Sequence, residues 1–156
     1  MNIKTLPSKK DIQSGILEVE KKMFSMKGVK FGDDCAPLKH SFGDGLYIRQ
    51  ITMPADMLLV SKIHKKKHPY FILKGECSVL TDEGVVRLKA PYSGITMPGT
   101  KRLLYMHTET VWTTVHKTDH TDLKKIEEEI IAKSFDEIPT EEEVKKLKGE
   151  LLWVGD

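Results

Sequence analysis

Lys62-Ile63-His64-Lys65-Lys66-Lys67-His68 runs on to Leu73-Lys74-Gly75-Glu76, and Met97-Pro98-Gly99-Thr100-Lys101-Arg102 answers it downstream. Both clusters are short, basic and flanked by apolar residues in alternation. Residues 56–107 therefore read as two strand pairs, each carrying a polar cluster. Alternation of period two puts every second side chain on one face of a sheet. Val60, Lys62 and His64 then share a face, and Arg102 is placed to meet them across the fold.

Working outward, strands are expected at 46–53, 57–64, 70–73, 76–81, 85–89, 95–97, 100–107 and 111–117. Pro54-Ala55-Asp56 makes a turn, and Asp82-Glu83-Gly84 is a hairpin signal. About eight short, evenly spaced strands argue for a mainly β jelly roll folded as two sheets. Upstream, residues 8–27 read as a helix with Ser8 as N-cap and Ile12, Ile16, Val19 and Met23 on one face. An irregular link carrying His40 joins it to the strands. After Thr118 the pattern turns helical again: Leu123, Ile126, Ile130 and Ile131 mark one amphipathic helix, capped by Thr121 or Asp122. Thr140 and Glu143 have capping-box spacing and open another. The expected organisation is an N-terminal helix and link (1–41), a barrel (42–118) and a C-terminal helical extension (119–156), all one compact domain. The apolar tail Leu151-Leu152-Trp153-Val154 is expected to dock on the barrel or on a second copy, making a homo-oligomer.

The two basic clusters resemble the motifs of the cupin superfamily. The first family motif reads H-x-H, three or four residues, E, six residues, G. With Gly75 as the closing glycine, Lys62, His64 and His68 fall on the first His, second His and Glu positions. The second motif, P-x-G-x-x-H, is similar to Pro98-Gly99-Thr100-Lys101-Arg102, one residue shorter, with Arg102 in the ligand position. The likeness spans residues 42–117 and implies a cupin-like jelly-roll barrel. The whole chain resembles short phage and bacterial cupin-like proteins of unassigned role, through Cys35-Ala36-Pro37-Leu38-Lys39-His40, the Pro98–Arg102 motif and Val111-Trp112-Thr113-Thr114-Val115-His116. That closer resemblance supplies a fold and not an activity; for a phage-encoded chain the expected place is the host cytoplasm, and sequestering a host nucleotide signal is one use such a barrel could serve.

Composition excludes several classes. The chain has 156 residues, 39% apolar and 31% charged, with a formal net charge of +2. Those values describe one ordinary globular domain and give no electrostatic case for nucleic acid. Lys65 to Lys67, Glu127 to Glu129 and Glu141 to Glu143 read as solvated faces. Cys35 and Cys77 lack zinc or disulfide spacing and suit a reducing cytoplasm. No apolar run approaches a membrane span or a signal core.

For chemistry, the candidate ligand-binding residues are Lys62, His64, His68, Arg102, Tyr105, Trp112, Thr114 and His116. Arg offers a planar fork for phosphate or carboxylate, Lys a point charge, and His a switchable donor. Thr114 adds a hydroxyl, while Tyr105 and Trp112 could stack on a flat ring if they face inward. Trp112, Thr114 and His116 share a face by alternation. The set suits a nucleotide, a sugar phosphate or a small acid bound without catalysis. A divalent transition metal is the alternative, with His64, His68 and His116 as its ligands and an isomerase or oxygenase as the enzyme class. It is not favoured, because Lys62 and Arg102 are cations without a lone pair to give. A third possibility is an assembly protein whose barrel is filled with side chains, Lys62 and Arg102 then pairing with Glu76 or Glu109. No nucleophile with a base, and no phosphate loop, appears.

Overall fold

The computed structural model describes residues 7–30, 32–140 and 142–146. Helix α1 (Lys9–Phe24) starts at Ser8, whose hydroxyl accepts from Asp11 N while the Asp11 carboxylate accepts from Ser8 N. The strands follow as β1 (Leu38–Gly43), β2 (Leu46–Met53), β3 (Leu58–Val60), β4 (Ile63–His64), β5 (His68–Lys74) and β6 (Glu76–Thr81). Then come β7 (Gly84–Lys89), β8 (Tyr92–Thr96), β9 (Leu103–Met106), β10 (Thr110–Lys117), α2 (Leu123–Ile130) and β11 (Ile131–Ala132).

One antiparallel sheet has the order β1-β2-β10-β5-β8 and the other β3-β9-β6-β7, with β11 and β4 forming a small third pair. Chain-adjacent strands repeatedly land in opposite sheets, which is the double Greek-key winding of a jelly roll. Alternation fills the space between the sheets: Ile51, Met53, Ile72 and Trp112 from one meet Cys77, Val79, Leu104 and Met106 from the other. Gly75 holds the β5–β6 corner at a φ of 89°, where an added Cβ would lie 2.1 Å from the Glu109 carbonyl oxygen. Only glycine fits such a left-handed, crowded position.

Several sequence expectations need correction. Strand β1 begins at Leu38, inside the stretch read as an irregular link. Its mixed burial, as the outer strand of its sheet, hid it. The single strand expected over 57–64 breaks into β3 and β4, because Ser61 turns aside. Its N–H donates to Arg102 O at 2.8 Å, and its hydroxyl accepts from Arg102 N at 2.9 Å. Ile131 leaves α2 and pairs with His64 in the β11–β4 ladder. Asp122 is the α2 cap, and the Thr140–Glu143 capping box is present ahead of helical residues 142–146. The apolar tail 151–154 lies outside the described residues.

The basic and acidic runs are partners rather than separate solvated faces. Lys62 pairs with Glu127, Lys66 with Glu129 at 2.6 Å, and the Lys65 ammonium donates to Glu128 O at 2.9 Å. These contacts, with buried Ile126 and Ile130, seat α2 across one end of the barrel.

Candidate functional site

Sheet register builds the site. Going across the larger sheet, Leu38, Ile51, Trp112 and Ile72 stand opposite one another, an apolar row. The next inward row is His40, Arg49, Thr114, Tyr70 and Gly94, and beyond it His116 faces Tyr47. The barrel interior thus changes from apolar to polar along the strands, and α2 closes the polar end. Gly94 is required here, because a Cβ would fall 2.6 Å from the Tyr70 ring.

Three imidazoles gather at the polar end. Ring centroids lie 4.5 Å apart for His64 and His68, 4.2 Å for His68 and His116, and 6.0 Å for His64 and His116. His68 Nδ1 donates to Lys66 O at 3.0 Å, which leaves its Nε2 as a bare acceptor. His68 Nε2 and His64 Nδ1 are both buried without a hydrogen-bond partner. His116 Nε2 lies 2.9 Å from the Thr114 hydroxyl. Burial, helped by the neighbouring imidazoles and by Arg102 and Arg49, pushes His64 down to about 2. Burial, His68 and Arg49 push His116 down to about 3. His68 is also lowered, chiefly by burial, against the Lys66 hydrogen bond that favours its charged form. The rings are therefore held neutral at ordinary pH.

Arg102 is the charge of the site. It is 7% exposed, donates from Nη2 to Thr96 Oγ1 at 2.9 Å, and packs over Tyr70 and Trp112 with ring distances of 4.9 and 5.6 Å. Those two rings stack on each other at 4.6 Å with an interplanar angle of 9°. Among the described residues no carboxylate pairs with Arg102: Glu76 binds Arg87, Glu109 binds Lys74, and Glu127 takes Lys62. Burial lowers the Arg102 pKa, with Tyr70 working the other way.

A cavity of about 420 Å³ connects these groups. Its wall includes Arg102, His64, His116, Thr114, Trp112, and Lys62 at an exposed edge. Two named candidates stand elsewhere. His68 is buried behind the wall, beside His64 and His116. Tyr105 points to the outer face, because its strand neighbours Leu104 and Met106 point in, and its hydroxyl donates to Asp56 at 2.7 Å. Arg49 and Tyr47, which line the cavity from β2, were missed. The alternation Tyr47, Arg49, Ile51, Met53 was the signal available for them.

A metal finds the right donor type here, neutral imidazole, but not the right arrangement. Two ring nitrogens are bare, yet among the described residues no three His, Cys, Asp or Glu groups are set to hold an ion. The Arg102 charge that disfavours protonation of His64 and His68 opposes a dication there too.

No family model and no curated protein matches the chain. Solved structures do show similarity. A cupin superfamily protein from Desulfitobacterium hafniense is 11% identical, covering 58% of this chain and 84% of that one, with a TM-score of 0.47. An acetylacetone dioxygenase from Acinetobacter johnsonii is 17% identical, covering 60% and 74%, with a TM-score of 0.45. A conserved protein with a double-stranded β-helix domain from Klebsiella pneumoniae is 13% identical, covering 60% and 86%, with a TM-score of 0.48. No ligand or chemistry is carried over from them. By the strand order of its own two sheets, the chain is a jelly roll.

Proposed function

We propose that the barrel is a binding module for a small organic anion anchored on Arg102. One observation carries this: a buried guanidinium, without a carboxylate partner among the described residues, on the wall of a small-molecule-sized cavity. A buried charge left unpaired costs several kcal/mol, and an anion supplies the missing partner with geometry that the planar fork matches. The histidines are poorly placed for acid–base work, which favours binding in this reading. An acid or base works best with a pKa near the operating pH, and His64 and His116 are displaced to about 2 and about 3.

The test is a thermal-shift screen at constant ionic strength with inorganic phosphate, AMP, a hexose phosphate, benzoate and decanoate, followed by calorimetry. At least one anion should stabilise the wild type. Arg102→Gln should weaken it about 30-fold, the worth of one charge-assisted hydrogen-bonded pair. Lys65→Ala, whose ammonium serves only the Glu128 carbonyl, should bind normally. No stabilising anion, or a hit indifferent to Arg102→Gln, would reject the proposal. So would one equivalent of transition metal in protein from cells that His64→Ala loses, which favours a metal-dependent enzyme.

A further inference from the structure

Resting on the reading of Arg102 as an anion anchor, we infer the chemical class of the ligand: a monocarboxylate with an apolar body, not a nucleotide or a sugar phosphate. The first argument is charge. The cationic side chains on or beside the wall are already matched, Arg49 with Asp33 at 3.5 Å, Lys101 with Glu20 at 2.9 Å and Lys62 with Glu127. Lys30 sits exposed at the rim. That leaves Arg102 as the buried positive charge without a carboxylate among the described residues. One negative charge balances it. A phosphate monoester brings about 1.5 to 2 charges, more than Arg102 alone balances.

The second argument is the rest of the wall. Away from Arg102 and the polar row of Tyr47, Arg49, Thr114 and His116, much of it is formed by Met23, Ile51, Met53, Leu104, Ile126 and Ile130, from both sheets and both helices. Ribose or hexose hydroxyls laid against these side chains would lose water and gain no partner. Methylenes or an aromatic ring gain from the same surface, by about fourfold in affinity for each buried methylene. The cavity has room for a chain of about ten carbons or a compact ring system.

Calorimetry on the full chain, below micelle-forming concentrations, compares hexanoate, octanoate, decanoate, decanol and AMP. Affinity should rise about fourfold per methylene from hexanoate to decanoate. Decanoate should lose about 30-fold in Arg102→Gln while decanol is unchanged, and AMP should bind at least 30-fold more weakly than decanoate. The chain-length slope is read on the wild-type protein and stands even if Arg102→Gln fails to fold. AMP or a hexose phosphate binding more tightly than decanoate, through Arg102, would overturn the monocarboxylate class and leave the anion site intact. A flat chain-length series would overturn the apolar body. No anion binding at all, or decanoate indifferent to Arg102→Gln, would remove both this inference and the anion site beneath it.

Discussion

His64 and His116 are held neutral by burial and by the neighbouring charges, His64 down to about 2 and His116 to about 3. In the unfolded chain a histidine titrates near 6.5. Below that pH the unfolded state takes up protons that the folded state refuses, so stability is full above about 6.5 and falls as pH drops toward the folded values. The loss is at most about 1.4 kcal/mol per pH unit for each ring, and smaller where water reaches it. The melting temperature should therefore fall between pH 7 and pH 5, ahead of most carboxylate titration. The folded double variant His64→Gln/His116→Gln should show a flatter profile. A wild-type profile flat down to pH 5 would contradict buried neutral rings. The candidate residues His64, Arg102, Trp112, Thr114 and His116 were legible as types on one face of a strand. Their protonation state was not, because it depends on desolvation by α2 and by strands far away in the chain. Tyr105 was misplaced for a simpler reason: alternation along β9 puts Arg102, Leu104 and Met106 inside and Tyr105 outside.

Helix α2 shows what holds an element when charge and apolar contacts act together. The pairs Lys62–Glu127 and Lys66–Glu129 are partly open to solvent, and exposed pairs contribute about 0 to 1 kcal/mol each. Ile126, at 1% exposure, and Ile130 bury the apolar face beneath them, and Lys65 N donates to Ile130 O at 2.8 Å. Ile126→Ala should cost about 2 to 4 kcal/mol in urea unfolding, and Lys66→Ala less than about 1. If Lys66→Ala proved the more damaging of the two, the charged latch rather than the apolar seat would hold α2. The helix and its Asp122 cap were readable from spacing, since a stripe at Leu123, Ile126 and Ile130 has one period. The pairing of its glutamates with the lysine run was not, because each run alone looks like an ordinary solvated face. Strands β1 and β11 were unreadable for a related reason: one is an outer strand with mixed burial, the other two residues held by pairing with β4.

At the scale of the whole molecule, the alternating strands and turn residues were enough to give the jelly roll, since period-two patterning leaves a two-sided sheet few other ways to bury its face. What a single chain's pattern does not reveal is how the sheets end. Strands β7 and β8 each form one edge of a sheet, with β3 and β1 at the opposite edges, and the cis Ala90–Pro91 bond joins β7 to β8. They carry exposed apolar side chains: Val85 at 74%, Val86 at 49% and Ile95 at 53%. An outer strand offers unpaired backbone groups, and natural proteins usually protect such edges with charge, proline or a covering element. Arg87 and Lys89 supply some charge here, but the valines beside them remain open to solvent. A second copy of the chain is the expected cover, independently of the tail 151–154. Light scattering at micromolar concentration should give at least twice the mass of one chain. Val85→Lys/Val86→Glu should shift it toward a single chain while leaving the circular dichroism spectrum and any decanoate binding unchanged. A wild-type protein that scatters as a monomer would remove this assignment of the edge. An oligomer unaffected by the double substitution would move the interface elsewhere on the molecule.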